Sequence, residues 1–219
     1  MLKAVLFDMD GVIIDSEPLH RSAYEQMFEE YNLKVSATLY ASFTGMATLP
    51  ICEKLCEEFS LDLQPTQLVA SKRKYFKRLF ENGRDFQLID GVLELIKHYS
   101  DNDINMVLAS SASMPNIEMI FRKFGLDPYF KAKISGADLK ASKPHPEIFE
   151  KATQLSGHSS KHCMVIEDAT NGILAAKAAG LFCAAYDGEN GHRQDFTMAD
   201  LVVSSFKELE LDKIQPYFK

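Results

Sequence analysis

Cysteine is scarce in this chain, positive charge is in deficit and no long apolar run exists, and each shortage removes a class of protein. The four cysteines, Cys52, Cys56, Cys163 and Cys183, form no CxxC pair and are too sparse for a disulfide-stapled scaffold. Cys52 and Cys56 are four apart, so they share a helix face, where two thiols more often pack than bind metal. Cys163 and Cys183 stand in apolar, strand-like runs and read as buried thiols. Lysine and arginine number 24 against 31 acids, a net charge of −7, which argues against a general nucleic-acid binder. An acidic protein still binds phosphate esters where a metal ion offsets the repulsion. No apolar stretch reaches membrane-spanning length; even the greasy region 172–186 carries Lys177. Asp8 ends the first apolar run too early for a signal-peptide core, so a reducing cytoplasm and no membrane partner are expected. Repeats and low-complexity tracts are missing too.

What is present is a chain of 219 residues, 46% hydrophobic, enough for one large domain or a core with a smaller appendage. Its most informative stretch is Ala4-Val5-Leu6-Phe7-Asp8-Met9-Asp10-Gly11-Val12. Four apolar residues without polar alternation read as a buried parallel strand. Two carboxylates then emerge one residue apart, followed by glycine. A buried unpaired charge is costly, so folding alone does not ask for acids there. Ligands on open α/β sheets sit beyond the carboxyl ends of the strands, where Asp8 and Asp10 would lie. A strand-ending Asp can also simply cap a turn.

From Asp15 or Ser16, either of which can cap a helix with Pro18 in its first turn, to about Gly83 the pattern is helical. Tyr24, Phe28 and Tyr31 recur at helix spacing, as do Leu68, Tyr75, Phe76 and Leu79, until Asn82-Gly83 breaks the pattern. Strands and helices alternate afterwards. Strands are expected over 104–109, 132–135, 164–166, 182–186 and 201–203. Helices are expected after Asp90 and Ser113 as caps, along Ile148-Ala152-Leu155, and over 172–179, with Gly125 and Gly180 as stops. Such alternation implies a Rossmann-like α/β fold, a parallel sheet covered on both faces. The helical block interrupts it, which predicts a core of residues 1–15 and 84–219 with an inserted helical cap, 16–83, above Asp8 and Asp10.

Three further motifs follow expected strands. Ser110, with the backbone N–H of Ser111 behind it, can cradle an anion, although a serine after a strand is more often a cap or turn residue. In Ser142-Lys143-Pro144-His145-Pro146 the proline restricts the direction in which Lys143 leaves its loop. A fixed ammonium suits phosphate; a solvated surface lysine is the alternative. His145 reads as a turn or capping residue. Glu167-Asp168 ends another apolar strand, bringing the carboxylates near the sheet edge to four. Such a cluster needs a cation, and hard oxygen ligands beside a phosphate suit Mg²⁺.

Asp8-x-Asp10-Gly-Val, Ser110, Lys143-Pro-x-Pro and Glu167-Asp168, in this order, resemble the haloacid dehalogenase superfamily, nearest to the β-phosphoglucomutase-like phosphatases with a helical cap. The resemblance spans nearly the whole chain. It implies that Asp8 is the nucleophile forming an aspartyl-phosphate, and that Asp10 is the general acid and then the base. It implies that Ser110, Ser111 and Lys143 bind the phosphoryl group. It also implies that Asp8, the main-chain carbonyl of Asp10, and Asp168 hold Mg²⁺, with Glu167 supporting that shell. An acid at position 10 points to phosphate-ester chemistry, because an alkoxide leaving group needs a proton and a halide does not.

The expected activity is therefore Mg²⁺-dependent hydrolysis of a small phosphorylated metabolite, a sugar or polyol phosphate. The runner-up is a β-phosphoglucomutase interconverting β-glucose 1-phosphate and glucose 6-phosphate. A mutase of that family carries a lysine and an arginine about its cap glycine. Thr44 and Thr48 fill those places here, around Gly45 and Met46, which puts the mutase in doubt. His20 resembles the mutase's cap histidine but reads equally as a polar residue on the first cap helix. The basic run from Lys72 to Arg78 reads mostly as a solvated face, and Lys74 is the member expected to reach the cleft. An inactive phosphate-ester-binding protein on this scaffold is the non-enzyme alternative. Nothing demands more than a monomer.

Overall fold

The computed structural model describes residues 1–43, 46–82, 86–188 and 194–218. Six strands, β1 (Ala4–Phe7), β2 (Asn105–Ser110), β3 (Ala132–Ser135), β4 (Cys163–Glu167), β5 (Phe182–Tyr186) and β6 (Leu201–Val203), form one sheet in the order β3-β2-β1-β4-β5-β6. Every pairing is parallel. β1 lies between β2 and β4, with Phe7 level with Leu108 and Ile166. The strand order therefore reverses at β1, the switch point beyond which open α/β sheets bind ligands.

Side-chain alternation explains the two layers. Val5, Phe7, Met106, Leu108, Met164 and Ile166 point to one face. There they meet α5 (Val92–Asp101) and α6 (Met114–Phe124), while α1 (Glu17–Glu30), α2 (Ala37–Ala41), α3 (Thr48–Glu58) and α4 (Pro65–Asn82) lie between β1 and α5 in the chain. Ala4, Leu6, Val107, Ala109 and Val165 point the other way, onto α7 (Glu147–Ser156) and α8 (Thr170–Ala178). Burial on both faces is why β1 is apolar throughout and β4 carries no charged residue until Glu167 at its carboxyl end.

Helices α1–α4 build a separate apolar cluster from Tyr24, Met27, Phe28, Phe43, Ile51, Cys52, Leu55, Leu68 and Val69. Phe80, near the end of α4, belongs instead to the cluster beneath the sheet and ties α4 to the core. All four cysteines are free thiols; Cys52, Cys163 and Cys183 are buried, and Cys56 is partly so. Among the described residues no helix is long and apolar enough to cross a membrane.

Several sequence expectations shift. Asp90 does not cap α5: the N-cap is Gly91 at φ +83°, a left-handed turn that glycine adopts at little cost. Leu155 is 46% exposed and off the buried face of α7, which Ile148, Phe149 and Ala152 supply. Ser16 and Ser113 occupy N-cap positions without a side-chain capping bond. Gly125 and Gly180 do end their helices, at φ +65° and +68°. The Asn82-Gly83 break coincides with the end of α4, and Gly83 itself lies outside the described residues.

Candidate active site

The segments at the carboxyl ends of β1, β2 and β4 converge on one cavity of about 520 Å³, lined there by Asp8, Asp10, Gly11, Ser111, Ala112, Glu167 and Asp168. Helices α1–α4 and the loop before α3 supply the opposite wall, including Glu17, His20, Tyr24, Tyr40, Phe43, Met46, Thr48 and Lys72.

Lys143 is the electrostatic centre, though its ammonium is only 1% exposed and lies beneath the cavity floor. Its Nζ donates to Asp8 Oδ1 at 2.5 Å, to Glu167 Oε1 at 2.7 Å and to the carbonyl of Ala109 at 3.1 Å. Burial alone would lower the Lys143 pKa, but the two carboxylates outweigh it and hold the group above its ordinary value. Burial also pushes Asp8 up to about 7, against the pull of Lys143. Asp168 is raised well above the usual carboxylate range by burial and by neighbouring Glu167 and Asp8.

Glu167 spends its second oxygen on the start of α8, accepting the amides of Asp168 and Ala169 at 2.9 Å each. A carboxylate at a helix N-terminus is favoured by the helix dipole. A Cβ on Gly172 would come within 1.7 Å of Glu167 Oε1, so this seat exists only above glycine. Glu167 thus contacts Lys143 and α8, and its position is that of an anchor for the lysine. Asp168 is seated likewise: Gly11 turns at φ +85°, and a Cβ there would fall 2.0 Å from Asp168 Oδ2.

Asp10 faces the helical wall. Its Oδ1 accepts from the Ser16 hydroxyl and lies 3.1 Å from His20 Nε2. His20 Nδ1 lies 2.7 Å from Lys72 Nζ, and the imidazole stacks on Phe76 with centroids 4.6 Å apart. Burial opposes the charge on Asp10, but His20, Ser16 and Lys72 overcome it and hold the carboxyl below its ordinary value. Lys72 is 2% exposed and 4.9 Å from both the Tyr24 and Phe76 rings; burial lowers it to about 8, against the pull of Asp10.

Lys74, the member of the basic run expected at the cleft, stands exposed on the outer face of α4, with its ammonium 5.4 Å from the Tyr75 ring. The buried stripe is Leu68, Lys72, Phe76 and Phe80, spaced four apart, and position 74 lies about 200° around the helix from position 72. Ser110 is fully buried and its hydroxyl accepts the Ala112 amide at 3.0 Å, so Ser111 and Ala112 form the cavity edge instead. Met46 and Thr48 line the cavity, while Thr44 and Gly45 lie outside the described residues. His145 accepts the Glu147 amide at the start of α7 through Nδ1, at 3.3 Å. Sequence reasoning missed Ser16 as a partner of Asp10. Its cap-like place before Pro18 hid that second use.

No group of three His, Cys, Asp or Glu side chains among the described residues gathers as a complete protein cage would. Magnesium does not require one, because it keeps several waters and is bound through one or two carboxylates. The buried carboxyl of Asp8 and the partly buried one of Asp168, with the main-chain carbonyl of Asp10, are hard oxygen donors of that kind, and the raised pKa values of the two acids mark a site short of positive charge. The residues fit the ion.

Fold and site together define a capped α/β enzyme whose strand-end acids surround one buried lysine. The chain belongs to the haloacid dehalogenase-like hydrolase family, whose model matches residues 2–180. It is 30% identical over 178 residues to the fructose-1-phosphate phosphatase YqaB of Escherichia coli, covering 81% of this chain and 92% of that protein. Over 216 residues it is 28% identical to the β-phosphoglucomutase of Bacillus subtilis, covering 96% and 93%. The crystal structure of CbbY from Rhodobacter sphaeroides in complex with phosphate superposes with a TM-score of 0.83 at 27% identity, covering 95% and 96%.

Proposed function

We propose that the chain is a Mg²⁺-dependent phosphatase that hydrolyses a sugar or polyol phosphate through an aspartyl-phosphate on Asp8, with residues 16–83 as its cap. The observation that carries this reading is the placement of Asp8 on Lys143 at the cavity floor, with Asp10 held separately by the cap. A carboxylate steered by a buried ammonium is positioned to attack, and a second carboxyl across the cavity is positioned to move protons.

The Asp8 carboxylate attacks phosphorus as the bond to the leaving oxygen breaks, and protonated Asp10 gives its proton to that oxygen. Asp10, now ionised, takes a proton from water as the water attacks phosphorus, and the bond to Asp8 breaks to release phosphate. Contacts from His20, Ser16 and Lys72 favour the ionised form of Asp10 that the second half needs. Asp8, Asp168 and the Asp10 carbonyl would hold Mg²⁺, which supplies charge neutralisation for the phosphoryl oxygens. The Lys143 ammonium and the loop edge at Ser111 and Ala112 position that group. The relatives named for fructose 1-phosphate and for a phosphoglucomutase support a phosphorylated-sugar substrate.

The test is a panel of sugar and polyol phosphates with Mg²⁺, scored for free phosphate and, from β-glucose 1-phosphate, for glucose 6-phosphate. Free phosphate is expected; glucose 6-phosphate without net hydrolysis would replace the phosphatase by a mutase. Excess EDTA is expected to reduce turnover to background, with recovery on adding Mg²⁺, and full activity in chelator refutes the metal assignment. The Asp10→Asn variant should lose about 10²–10⁴-fold in single-turnover transfer from a sugar phosphate but far less from an aryl phosphate, whose phenolate leaves unaided. Equal losses on both would remove the acid role.

A further inference from the structure

On the same reading of the site, we infer that Glu17 and Tyr40 form the subsite that selects the leaving group: they recognise a neutral, hydroxylated carbon chain and disfavour an anionic one. Both line the cavity from the cap side, and neither takes part in the chemistry described above.

Glu17 opens α1 and Tyr40 lies on α2, yet the Tyr40 hydroxyl donates to Glu17 Oε1 at 3.1 Å. Burial and the facing Glu17 carboxylate raise the Tyr40 pKa, so the phenol keeps its proton. The Tyr40 ring packs edge-on to Tyr24 and Phe43, with centroids 6.0 Å away in each case, which fixes the direction of its hydroxyl. Glu17 therefore enters the cavity already oriented.

Position gives the pair its role. Glu17 and His20 are three apart on α1, so their Cβ atoms are about 5–6 Å apart on one helix face. His20 contacts Asp10, the group that hands a proton to the leaving oxygen. Glu17 consequently faces the carbons just beyond that oxygen. An ionised carboxylate has about four lone-pair sites, so one bond from Tyr40 leaves capacity for hydroxyls on neighbouring carbons. A hydroxylated chain donates there, an alkyl chain cannot, and a carboxylate or second phosphate is repelled. Asp15, Asp90 and Asp187 also line the cavity and add to that repulsion. Among the described lining residues the basic groups are His20 and Lys72, which bond to each other and serve Asp10.

The experiment measures kcat/KM for glucitol 6-phosphate, n-hexyl phosphate, 2-phosphoglycolate and phenyl phosphate in the wild type and in the Glu17→Gln, Glu17→Ala and Tyr40→Phe variants. The wild type should prefer glucitol 6-phosphate to n-hexyl phosphate by at least about tenfold. Glu17→Ala should erase most of that preference, and Tyr40→Phe part of it. Glu17→Gln keeps hydrogen bonding but removes charge, and should raise the relative rate on 2-phosphoglycolate by about fivefold or more. Unchanged ratios in all three variants, with phenyl phosphate still cleaved, overturn the subsite and leave the phosphatase standing. A wild type that releases phosphate from none of the four esters overturns the phosphatase reading, and the subsite with it.

Discussion

The Asp8→Asn variant is expected to lose turnover by about 10⁴-fold or more, the scale seen when an enzyme's attacking group is removed. The two side chains are nearly isosteric, and Asn still presents an oxygen to the ammonium of Lys143, so the fold should persist. What disappears is the nucleophile, because a neutral amide oxygen does not displace an alkoxide from phosphorus. Single-turnover mixing with a labelled ester should transfer no phosphoryl group to the variant, while the wild type shows transient labelling. Turnover within about tenfold of wild type would mean that another group, or water directly, attacks phosphorus.

The second large effect concerns stability. Lys143→Met replaces the cation that Asp8 and Glu167 share. Removing one partner of a buried ion pair typically costs about 3–5 kcal/mol, since the other charge is left uncompensated. The loss should depend on pH. Asp8 already titrates near 7 when folded, against an ordinary 3.8, and without the ammonium its carboxyl moves higher still. An acid whose folded pKa is raised contributes its full stability below the unfolded value and loses it as pH rises through the folded one. Urea unfolding in chelator should therefore show a larger deficit for Lys143→Met at pH 8 than at pH 5. An equal deficit at both, or one below about 1 kcal/mol at pH 8, would contradict the electrostatic account.

Much of this site was legible before any coordinates because its residues follow apolar strands. Phe7, Ala109 and Ile166 sit at the ends of runs with no polar member, so the acids and hydroxyl after them stand out, and parallel pairing brings those ends to one edge. The cap was less legible. Helix α4 offers two overlapping stripes, one through Tyr75 and Leu79 and one through Leu68, Lys72, Phe76 and Phe80. Only packing against α1 decides between them, and that choice separates buried Lys72 from exposed Lys74. Glu167 illustrates a different limit. Its sequence context marks an acid near a metal, but its bonds to Lys143 and to α8 depend on contacts between distant segments. Asp90 was misread because an acid before an apolar stripe resembles a cap, whereas the left-handed turn at Gly91 begins the helix one residue later.

Phe80 fixes one end of α4 in the core while Lys72, eight residues earlier, reaches His20. That separation is about 12 Å along a stiff rod, so pivoting the rod by about 10° at its rooted end carries the ammonium some 2 Å sideways. Such a swing is enough to sever the 2.7 Å link to the imidazole and, through it, to loosen the grip on Asp10. Opening the lid would then release the contacts that keep Asp10 ionised, so that bulk water arriving in an open mouth meets a carboxyl unready to activate it.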